Sequence, residues 1–258
     1  MILIIGGHQR SGTSLITELL NGHPDMAITP EFGVFLRIRN PYTVYCLKMM
    51  SRLWEAGNRP LSPSDFDKHA FPFRNLVFVS HYLSRLSQLQ GNRAERVEAA
   101  LRMVLPDAGI VGDKYPDYVY SLDTLLCIPG LSCLVMYRDC RDVVSSTLAA
   151  VRTIWRRKRF LRMLDSAEKV AKRWVLAIEI MERYSAELYS VRYENLVARP
   201  DQELANLAQW LNVDPAGFPS HIVCDSSIEK YKQGLSRDEL STVLDVAGPT
   251  MERVGYKT

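Results

Sequence analysis

Long hydrophobic runs and a strong charge bias are both missing from this sequence of 258 residues. The apolar run at residues 2–5 is far shorter than the roughly 20 residues of a membrane span and has no basic flank before it. Neither a transmembrane segment nor an export signal is therefore predicted. Lysine and arginine total 32 against 29 acidic residues, and a net charge of +3 gives no argument for a nucleic-acid partner. With 47% hydrophobic and 24% charged residues, the composition indicates a globular protein.

Cysteine is also scarce, and its spacing shows no pairing pattern. The five cysteines are odd in number and include no C-x-x-C pair, which argues against a disulfide-stapled miniprotein. We interpret them as reduced thiols and predict a cytoplasmic location. No internal repeat, low-complexity tract or long linker interrupts the chain, so we predict one domain over residues 1–258.

Strand and helix patterns alternate along the chain. Residues 1–5 predict a strand buried on both faces, and a helix follows it after a loop that carries glycine. This alternation predicts an α/β fold with a central parallel sheet flanked by helices. A later helix is predicted to start near Asp142, with that side chain as its N-cap. Further strands are predicted at 109–111, 131–137 and 188–193, and helices at 44–55, 80–90, 93–104, 166–184, 202–211 and 237–246.

Residues 7–14 have the G-x-x-x-x-G spacing of a phosphate-binding loop, placed between a predicted strand and a predicted helix. Loops that bind nucleoside triphosphates carry lysine at the position of Thr13, so this loop is poorly suited to ATP or GTP. Arg10 supplies a cation instead, and the hydroxyls of Thr13 and Ser14 supply donors. This set suits an anion with a single 5′-phosphate and one transferable group. A tight turn without a ligand is the alternative.

Four blocks resemble sulfotransferases that use 3′-phosphoadenosine 5′-phosphosulfate (PAPS). The R-S-G-T-S of residues 10–14, followed by Pro-Glu at 30–31, resembles the 5′-phosphosulfate loop of that family. The G-D-K-Y-P of 112–116 resembles a block of bacterial members and tyrosylprotein sulfotransferases, and residues 137–146 resemble the 3′-phosphate block. R-Y-E-N-L-V at 192–197 is similar to the next landmark. The resemblance covers most of the chain and implies a P-loop-containing nucleotide hydrolase-like fold.

The resemblance also implies where the donor and its product, 3′-phosphoadenosine 5′-phosphate (PAP), bind. The 5′-phosphosulfate would be held by Arg10, Ser11, Gly12, Thr13 and Ser14. The 3′-phosphate would be held by an arginine after a strand and by a serine eight residues later, which are Arg138 and Ser146 here. Tyr193 is a candidate contact for the adenine, with core packing as the alternative.

Sulfuryl transfer needs positioning, stabilisation of negative charge and removal of the acceptor proton, and it requires no metal in principle. Lys114 and Arg10 have the charge to stabilise the bridging and sulfuryl oxygens. The resemblance to tyrosylprotein sulfotransferases implies that Glu31 is the base. Cytosolic sulfotransferases place a histidine where this chain has Tyr115. The alternative bases are His8, His69 and His81.

The blocks depart from the family in three places. Gln9 and Cys140 stand where many members have proline, and no R-K-G motif follows near the C-terminus. The basic segment 226–232 resembles an element of tyrosylprotein sulfotransferases instead. Lys232 in that segment is the candidate cofactor contact, and an ordinary surface lysine is the alternative.

Basic residues are concentrated in one window, since residues 152–173 contain nine of them and two acidic ones. The uninterrupted basic part, 152–162, is either a solvated helix face or a lid that attracts an anionic donor or acceptor. Residues 32–105 are predicted to shape the acceptor pocket, and their aromatic side chains suit a small molecule, a carbohydrate, a lipid or a peptide equally. The sequence does not decide the oligomeric state, and a homodimer is one alternative.

Two other functions compete with sulfuryl transfer. A nucleoside or small-molecule kinase would share the strand, loop and helix but should show lysine at position 13 and an acidic strand end that holds magnesium. A non-catalytic nucleotide-binding protein would need neither Glu31 nor Lys114.

Overall fold

A computed structural model of the chain describes residues 1–31, 33–35, 82, 84–86, 88–105, 107–153 and 162–258. The strands in these ranges are β1 (Ile2–Gly7), β2 (Met26–Pro30), β3 (Ile110–Lys114), β4 (Leu131–Tyr137) and β5 (Tyr189–Arg192). They form one sheet in the order β2-β3-β1-β4-β5, and every neighbouring pair is parallel.

Helices cover both faces of the sheet. Those in the described ranges are α1 (Thr13–Gly22), α2 (Arg93–Val104), α3 (Leu122–Leu125), α4 (Cys140–Arg152), α5 (Ala167–Arg183), α6 (Tyr193–Ala198), α7 (Pro200–Leu211), α8 (Tyr231–Gly234) and α9 (Arg237–Arg253). A 3-10 helix, Pro116–Ser121, leads from β3 into α3. The predicted α/β fold with a central parallel sheet flanked by helices is confirmed.

The central strand β1 is buried along its whole length. Because side chains alternate along a strand, Ile2 and Ile4 pack on one face of the sheet with Trp174 of α5. Leu3 and Ile5 pack on the other face with Leu204 of α7. The continuous apolar run that predicts a doubly buried strand is therefore satisfied by one core on each face.

The carboxyl ends of the middle strands meet at one edge of the sheet. Ile5 of β1 is in register with Lys114 of β3, and Gly7 is in register with Met136 of β4. The loop after β1, the end of β3 and the residue after β4 consequently lie side by side. This edge is where open parallel sheets bind ligands.

Two helix boundaries predicted from the sequence are wrong, and one strand is not predicted. The helix α4 begins at Cys140 and is capped by Asp139, whose carboxylate accepts from Arg141 N at 2.8 Å, so Asp142 is not the N-cap. The edge strand β2 has no predicted counterpart. The last helix runs on to Arg253 through Pro249, because buried contacts on both sides of that proline outweigh its local preference to end a helix.

Of the helices predicted between residues 44 and 104, some lie in the described ranges and one does not. The helix predicted at 93–104 is confirmed as α2, and at 80–90 the described positions 82, 84–86 and 88 are helical. The helix predicted at 44–55, together with His69, His81 and residues 154–161 of the basic run, lies outside the described residues. Within the described part of the chain, no helix combines the length and apolar character needed to cross a bilayer.

Candidate active site

A cavity of about 470 Å³ opens at the carboxyl edge of the sheet, where the predicted site residues meet. Its walls include Arg10, Gly12, Thr13, Ser14, Glu31, Arg138, Ser146 and Tyr193. Ser11 is fully buried beneath the loop, and Lys114 reaches the wall through its contact with Glu31. Lys232 does not line the cavity.

The loop between β1 and α1 exposes backbone donors to this cavity. Arg10 and Gly12 both have positive φ, 69° and 93°, so the chain turns sharply before the helix begins. Gly12 is the N-cap of α1 and no side chain caps the helix, which leaves the first-turn N–H groups without a side-chain partner. A Cβ at position 12 would lie 2.5 Å from the ring of Tyr193. Only glycine fits here, and helix ends with free N–H groups of this kind are suited to binding an anion.

Arg10, Arg138, Ser146 and Tyr193 form one cluster although they are far apart in the sequence. The Nε of Arg10 donates to Ser146 Oγ at 2.9 Å, and Nη1 of Arg138 donates to the carbonyl of Arg10 at 3.4 Å. The Arg138 guanidinium lies 4.6 Å from the centroid of the Tyr193 ring, a cation–π contact. Tyr193 is the first residue of α6 rather than the last of a strand, and it both lines the cavity and packs in the core.

The two arginines of this cluster create a positive region. Although Arg10 is exposed at the surface, partial desolvation and then the charge of Arg138 lower the pKa of its guanidinium. Among the residues that the structure describes, Arg10 forms no ion pair, whereas Arg138 is paired with Asp142. An anion bound beside Arg10 would relieve the repulsion between the two cations.

The other end of the cavity is built around Lys114 and Glu31. Lys114 Nζ lies 2.6 Å from Glu31 Oε1, with side-chain exposures of 5% and 57%. Glu31 has a φ of 55°, and its N–H donates to the Lys114 carbonyl at 2.5 Å. The buried Lys114 ammonium is therefore fixed by its contact with Glu31, while the Glu31 carboxylate is accessible from the open cavity.

Asp113 explains why the segment after β2 takes this path. Its carboxylate is fully buried and accepts from Thr29 Oγ1 at 2.6 Å, from Tyr118 OH at 2.5 Å and from Val34 N at 3.2 Å. Thr29 and Val34 flank Glu31 on either side. Asp113 thus fixes the backbone that presents the candidate base.

Several residues that line the cavity are not predicted from the sequence: Tyr115, Pro116, Asp117, Met163, Leu164, Arg173 and Ser227. Asp117 accepts from Gln9 Nε2 at 2.6 Å and from Arg173 Nη2 at 2.8 Å. Desolvation, followed by the charge of Asp117, raises the pKa of Tyr115, so this phenol stays neutral. The signal in the sequence was the unusual Gln9 in the loop, which has its hydrogen-bond partner 108 residues away.

His8, an alternative base, lies outside the main cavity. It is 2% exposed, its Nδ1 donates to the Gln9 carbonyl at 2.7 Å, and it lines a separate space of about 10 Å³. Desolvation by burial lowers the pKa of His8 to about 4. The imidazole is therefore neutral at physiological pH and shielded from any acceptor in the larger cavity. In the described ranges, no three His, Cys, Asp or Glu side chains come together as a potential metal site.

In the C-terminal basic segment, the residue that reaches the cavity is Ser227 and not the predicted Lys232. Lys232 is exposed and pairs with Glu229 Oε2 at 2.5 Å. Ser227 lines the cavity, and its carbonyl accepts a hydrogen bond from Arg138 Nη2. The structure thus brings the segment to the cluster through Ser227 rather than through Lys232.

The sheet order, the loop between β1 and α1 and the cavity at the carboxyl edge define an α/β protein of the nucleotide-binding P-loop class. Residues 3–216 match the model of the Sulfotransferase family, and the chain belongs to that family. The resemblance stated from the sequence motifs is confirmed.

Among known relatives, nodulation protein NoeE of Sinorhizobium fredii is 24% identical, over 100% of this chain and 66% of its own length. Protein-tyrosine sulfotransferase A of Caenorhabditis elegans is 24% identical, over 82% of this chain and 50% of its own. The chain thus spans about half to two thirds of the length of these two relatives. The sulfotransferase domain from the curacin biosynthetic pathway superimposes with a TM-score of 0.59 at 16% identity, covering 100% of this chain and 98% of that domain, and shows the same fold.

Proposed function

We propose that this protein is a sulfotransferase that moves a sulfuryl group from PAPS to a hydroxyl or amine of an acceptor. The observation that carries the proposal is the meeting of three groups in one cavity: the uncapped N-terminus of α1, the Arg138–Ser146 pair and the Lys114–Glu31 pair. Membership of the Sulfotransferase family supports the same reaction class.

The nucleotide end fits an anionic ligand with two phosphate groups. The loop residues 10–14 present the α1 N-terminus to a 5′-phosphosulfate, and Arg138 with Ser146 would hold a 3′-phosphate. Ser11 Oγ and Arg138 Nε are buried and find no hydrogen-bond partner in the described part of the chain. Ser11 lines the small space beside His8, whereas Arg138 lines the main cavity. Because an unpaired buried polar atom is costly, Arg138 Nε favours a ligand in the main cavity that supplies an acceptor.

The two phosphate subsites adjoin each other. Arg10 of the loop donates to Ser146, the serine assigned to the 3′-phosphate, and Tyr193 lies between the loop and Arg138. In this scheme the ribose and its two substituents would bridge the two subsites. Tyr193 is then our candidate contact for the adenine, because it lines the cavity beside Arg138. Lys232 is a weaker candidate because its amine pairs with Glu229.

The residues at the other end of the cavity can accept the proton and stabilise the negative charge that the transfer step produces. A bond forms from the acceptor oxygen or nitrogen to sulfur, and the bond from sulfur to the phosphate bridging oxygen breaks. Glu31, which reaches into the cavity, takes the acceptor proton, and Lys114 with Arg10 stabilises the negative charge on the leaving phosphate and the sulfuryl oxygens. The acceptor would enter beside Glu31, Tyr115 and Asp117, which line the same end.

The acceptor class is tested as four alternatives: a small molecule, a carbohydrate, a lipid or a peptide. The names of the protein-tyrosine sulfotransferase relatives place a tyrosine-containing peptide on that panel. A cytoplasmic location and a homodimer stay predictions.

The test is titration calorimetry with PAP, AMP and ATP, followed by transfer assays with ³⁵S-labelled PAPS and the acceptor panel. PAP is expected to bind at least tenfold more tightly than AMP or ATP, and at least one acceptor should gain label. ATP that binds more tightly than PAP, with magnesium-dependent turnover, would instead support a kinase. PAP binding without transfer to any acceptor would support a non-catalytic nucleotide-binding protein.

A further inference from the structure

A segment near the C-terminus passes over the nucleotide end of the cavity. Residues 225–234, which we name the C-terminal strap, include Ser227 in the cavity wall and end in α8. The strap closes against α4, since a Cβ at Gly234 would lie 2.1 Å from Ser145 Oγ. None of the strap residues is buried. Ile228 packs against the core, and polar contacts supply most of the remaining attachment of the strap.

Asp142 of α4 provides most of these polar contacts. Its side chain is 2% exposed, and its Oδ2 accepts from Glu229 N at 2.9 Å while its Oδ1 accepts from Tyr231 N at 3.0 Å. The same Oδ2 lies 3.2 Å from Nη2 of Arg138. One buried carboxylate therefore binds both the strap backbone and the arginine assigned to the 3′-phosphate.

The strap adopts a backbone that depends on this carboxylate. Glu229 has a φ of 56°, which a residue with a side chain rarely adopts, and the turn directs two N–H groups toward Asp142. Arg141 lies over the ring of Tyr231 at 4.5 Å and adds a second contact between α4 and the strap. Without the carboxylate, the strained turn loses the acceptor that both N–H groups share.

Arg138 is equally dependent on Asp142 for its orientation. Its other hydrogen bonds go to two carbonyls, those of Arg10 and Ser227, and one of these belongs to the strap itself. Loss of the carboxylate would leave a buried guanidinium without a charged partner and would release the strap that carries Ser227.

We propose that Asp142 is a positioning residue for recognition of the ribose 3′-phosphate, which it achieves by fixing Arg138 and the C-terminal strap together. The inference rests on the proposed function, because it takes Arg138 as the ligand of that phosphate. It assigns to Asp142 a contribution to nucleotide selectivity, distinct from any contact with the nucleotide. Binding of PAP should depend on Asp142, and binding of AMP, which has no 3′-phosphate, should not.

The test compares PAP and AMP affinities by titration calorimetry in the wild type, in Asp142→Asn and in Asp225→Asn. Asparagine keeps the size of the side chain but removes the charge and one of the two acceptor oxygens. We expect Asp142→Asn to weaken PAP binding at least tenfold and to change AMP binding less than twofold. Asp225→Asn is the matched control, since it makes the same chemical change at an exposed side chain of the same strap. Both of its affinities should stay within twofold of wild type.

An unchanged ratio of PAP to AMP affinity in Asp142→Asn, whether both affinities keep their wild-type values or fall equally, would overturn the inference. If the wild type does not prefer PAP to AMP, the proposed function is refuted, and this outcome does not depend on the Asp142 variant. Amide hydrogen exchange gives a second readout. Exchange at Glu229 and Tyr231 should rise in Asp142→Asn while α4 and α5 stay protected, and unchanged exchange at these two amides contradicts the inference.

A second variant keeps the inference testable if Asp142→Asn does not fold. Gly234→Val places side-chain atoms against Ser145 and displaces the strap without altering Asp142. The same selective loss of PAP affinity is expected, and a preserved PAP preference would count against the inference.

Discussion

The two ends of the cavity differ in how firmly their charged side chains are held. At the nucleotide end, Arg138 and Asp142 form an ion pair in which both side chains are nearly inaccessible, at 7% and 2% exposure. At the transfer end, Glu31 is 57% exposed and Lys114 is its ion-pair partner. Breaking a pair with both partners buried costs about 3–5 kcal/mol, and the cost is lower where one partner, as Glu31 here, is in contact with water.

This difference separates binding from chemistry. The nucleotide end is fixed by contacts that also stabilise the fold, so changes there should affect affinity and stability together. The transfer end combines a buried lysine with an exposed carboxylate that an acceptor can reach. Changes to Glu31 should therefore alter the rate with little effect on the fold.

The sharpest test of this separation is Glu31→Gln. Loss of a general base should lower kcat about 10²- to 10⁴-fold, while PAP affinity and the melting temperature stay close to wild type because glutamine keeps an oxygen that can accept from the buried Lys114. Steady-state assays with labelled PAPS, calorimetry and thermal unfolding measure the three quantities. Glu182→Gln, which removes an exposed carboxylate paired with Arg253, should change none of them. Full turnover in Glu31→Gln would end its assignment as the base.

The stability of the fold should also depend on pH, because the loop at the nucleotide end begins beside the buried His8. The pKa of His8 is lowered from 6.5 to about 4, so the unfolded chain takes up a proton at a higher pH than the folded one. The stability that follows is fully present above pH 6.5 and is lost as the pH falls toward 4, by roughly 3 kcal/mol in all.

Urea unfolding of His8→Asn at pH 7.0 and 4.5 tests this dependence. Asparagine can still donate to the Gln9 carbonyl but does not titrate, so the variant should lose much less stability between the two pH values than the wild type. His221→Asn changes an exposed histidine and should leave the pH dependence unaltered. An equal loss in wild type and His8→Asn would show that other groups control acid unfolding.

The third test concerns the turn that presents the α1 N-terminus. In Gly12→Ala, the new Cβ meets the Tyr193 ring at 2.5 Å and the residue keeps an unfavourable φ of 93°. We expect a loss of about 1–3 kcal/mol in stability and a tenfold or greater loss in PAP affinity. Gly130→Ala is the control, because φ there is 75° but nothing lies within 4 Å of the Cβ. It should lose stability through backbone strain alone and bind PAP normally, so equal PAP losses in both variants would contradict a specific role for the turn.

The sequence predicts the parts of the fold whose signal is local. A buried strand, a glycine loop and an amphipathic helix follow one another at residues 2–22, and each has a pattern of its own. The start of α4 shows where local rules stop. Asp139 and Asp142 both carry a carboxylate suited to a helix N-terminus, and only the tertiary structure shows that Asp142 is used by a segment 87 residues away.

The candidate site divides in the same way. Arg10, Arg138 and Ser146 could be proposed because each belongs to a motif, and the parallel sheet brings these motifs to one edge. Asp117 and Arg173 carry no motif, and their contact joins residues 56 positions apart. A pairing of that kind follows from how the 3-10 helix after β3 packs on α5, which no local pattern encodes.

The sheet order also has a consequence for how the chain is made. Ile2 of β1 pairs with Val111 and with Leu131, so this strand leaves the ribosome well before either neighbour exists. At about 5–20 residues per second, the about 100 intervening residues keep it waiting for roughly 5–20 s. During this interval the apolar strand β1 cannot pair with β3 or β4, and we expect the chain to depend on chaperones most at this stage.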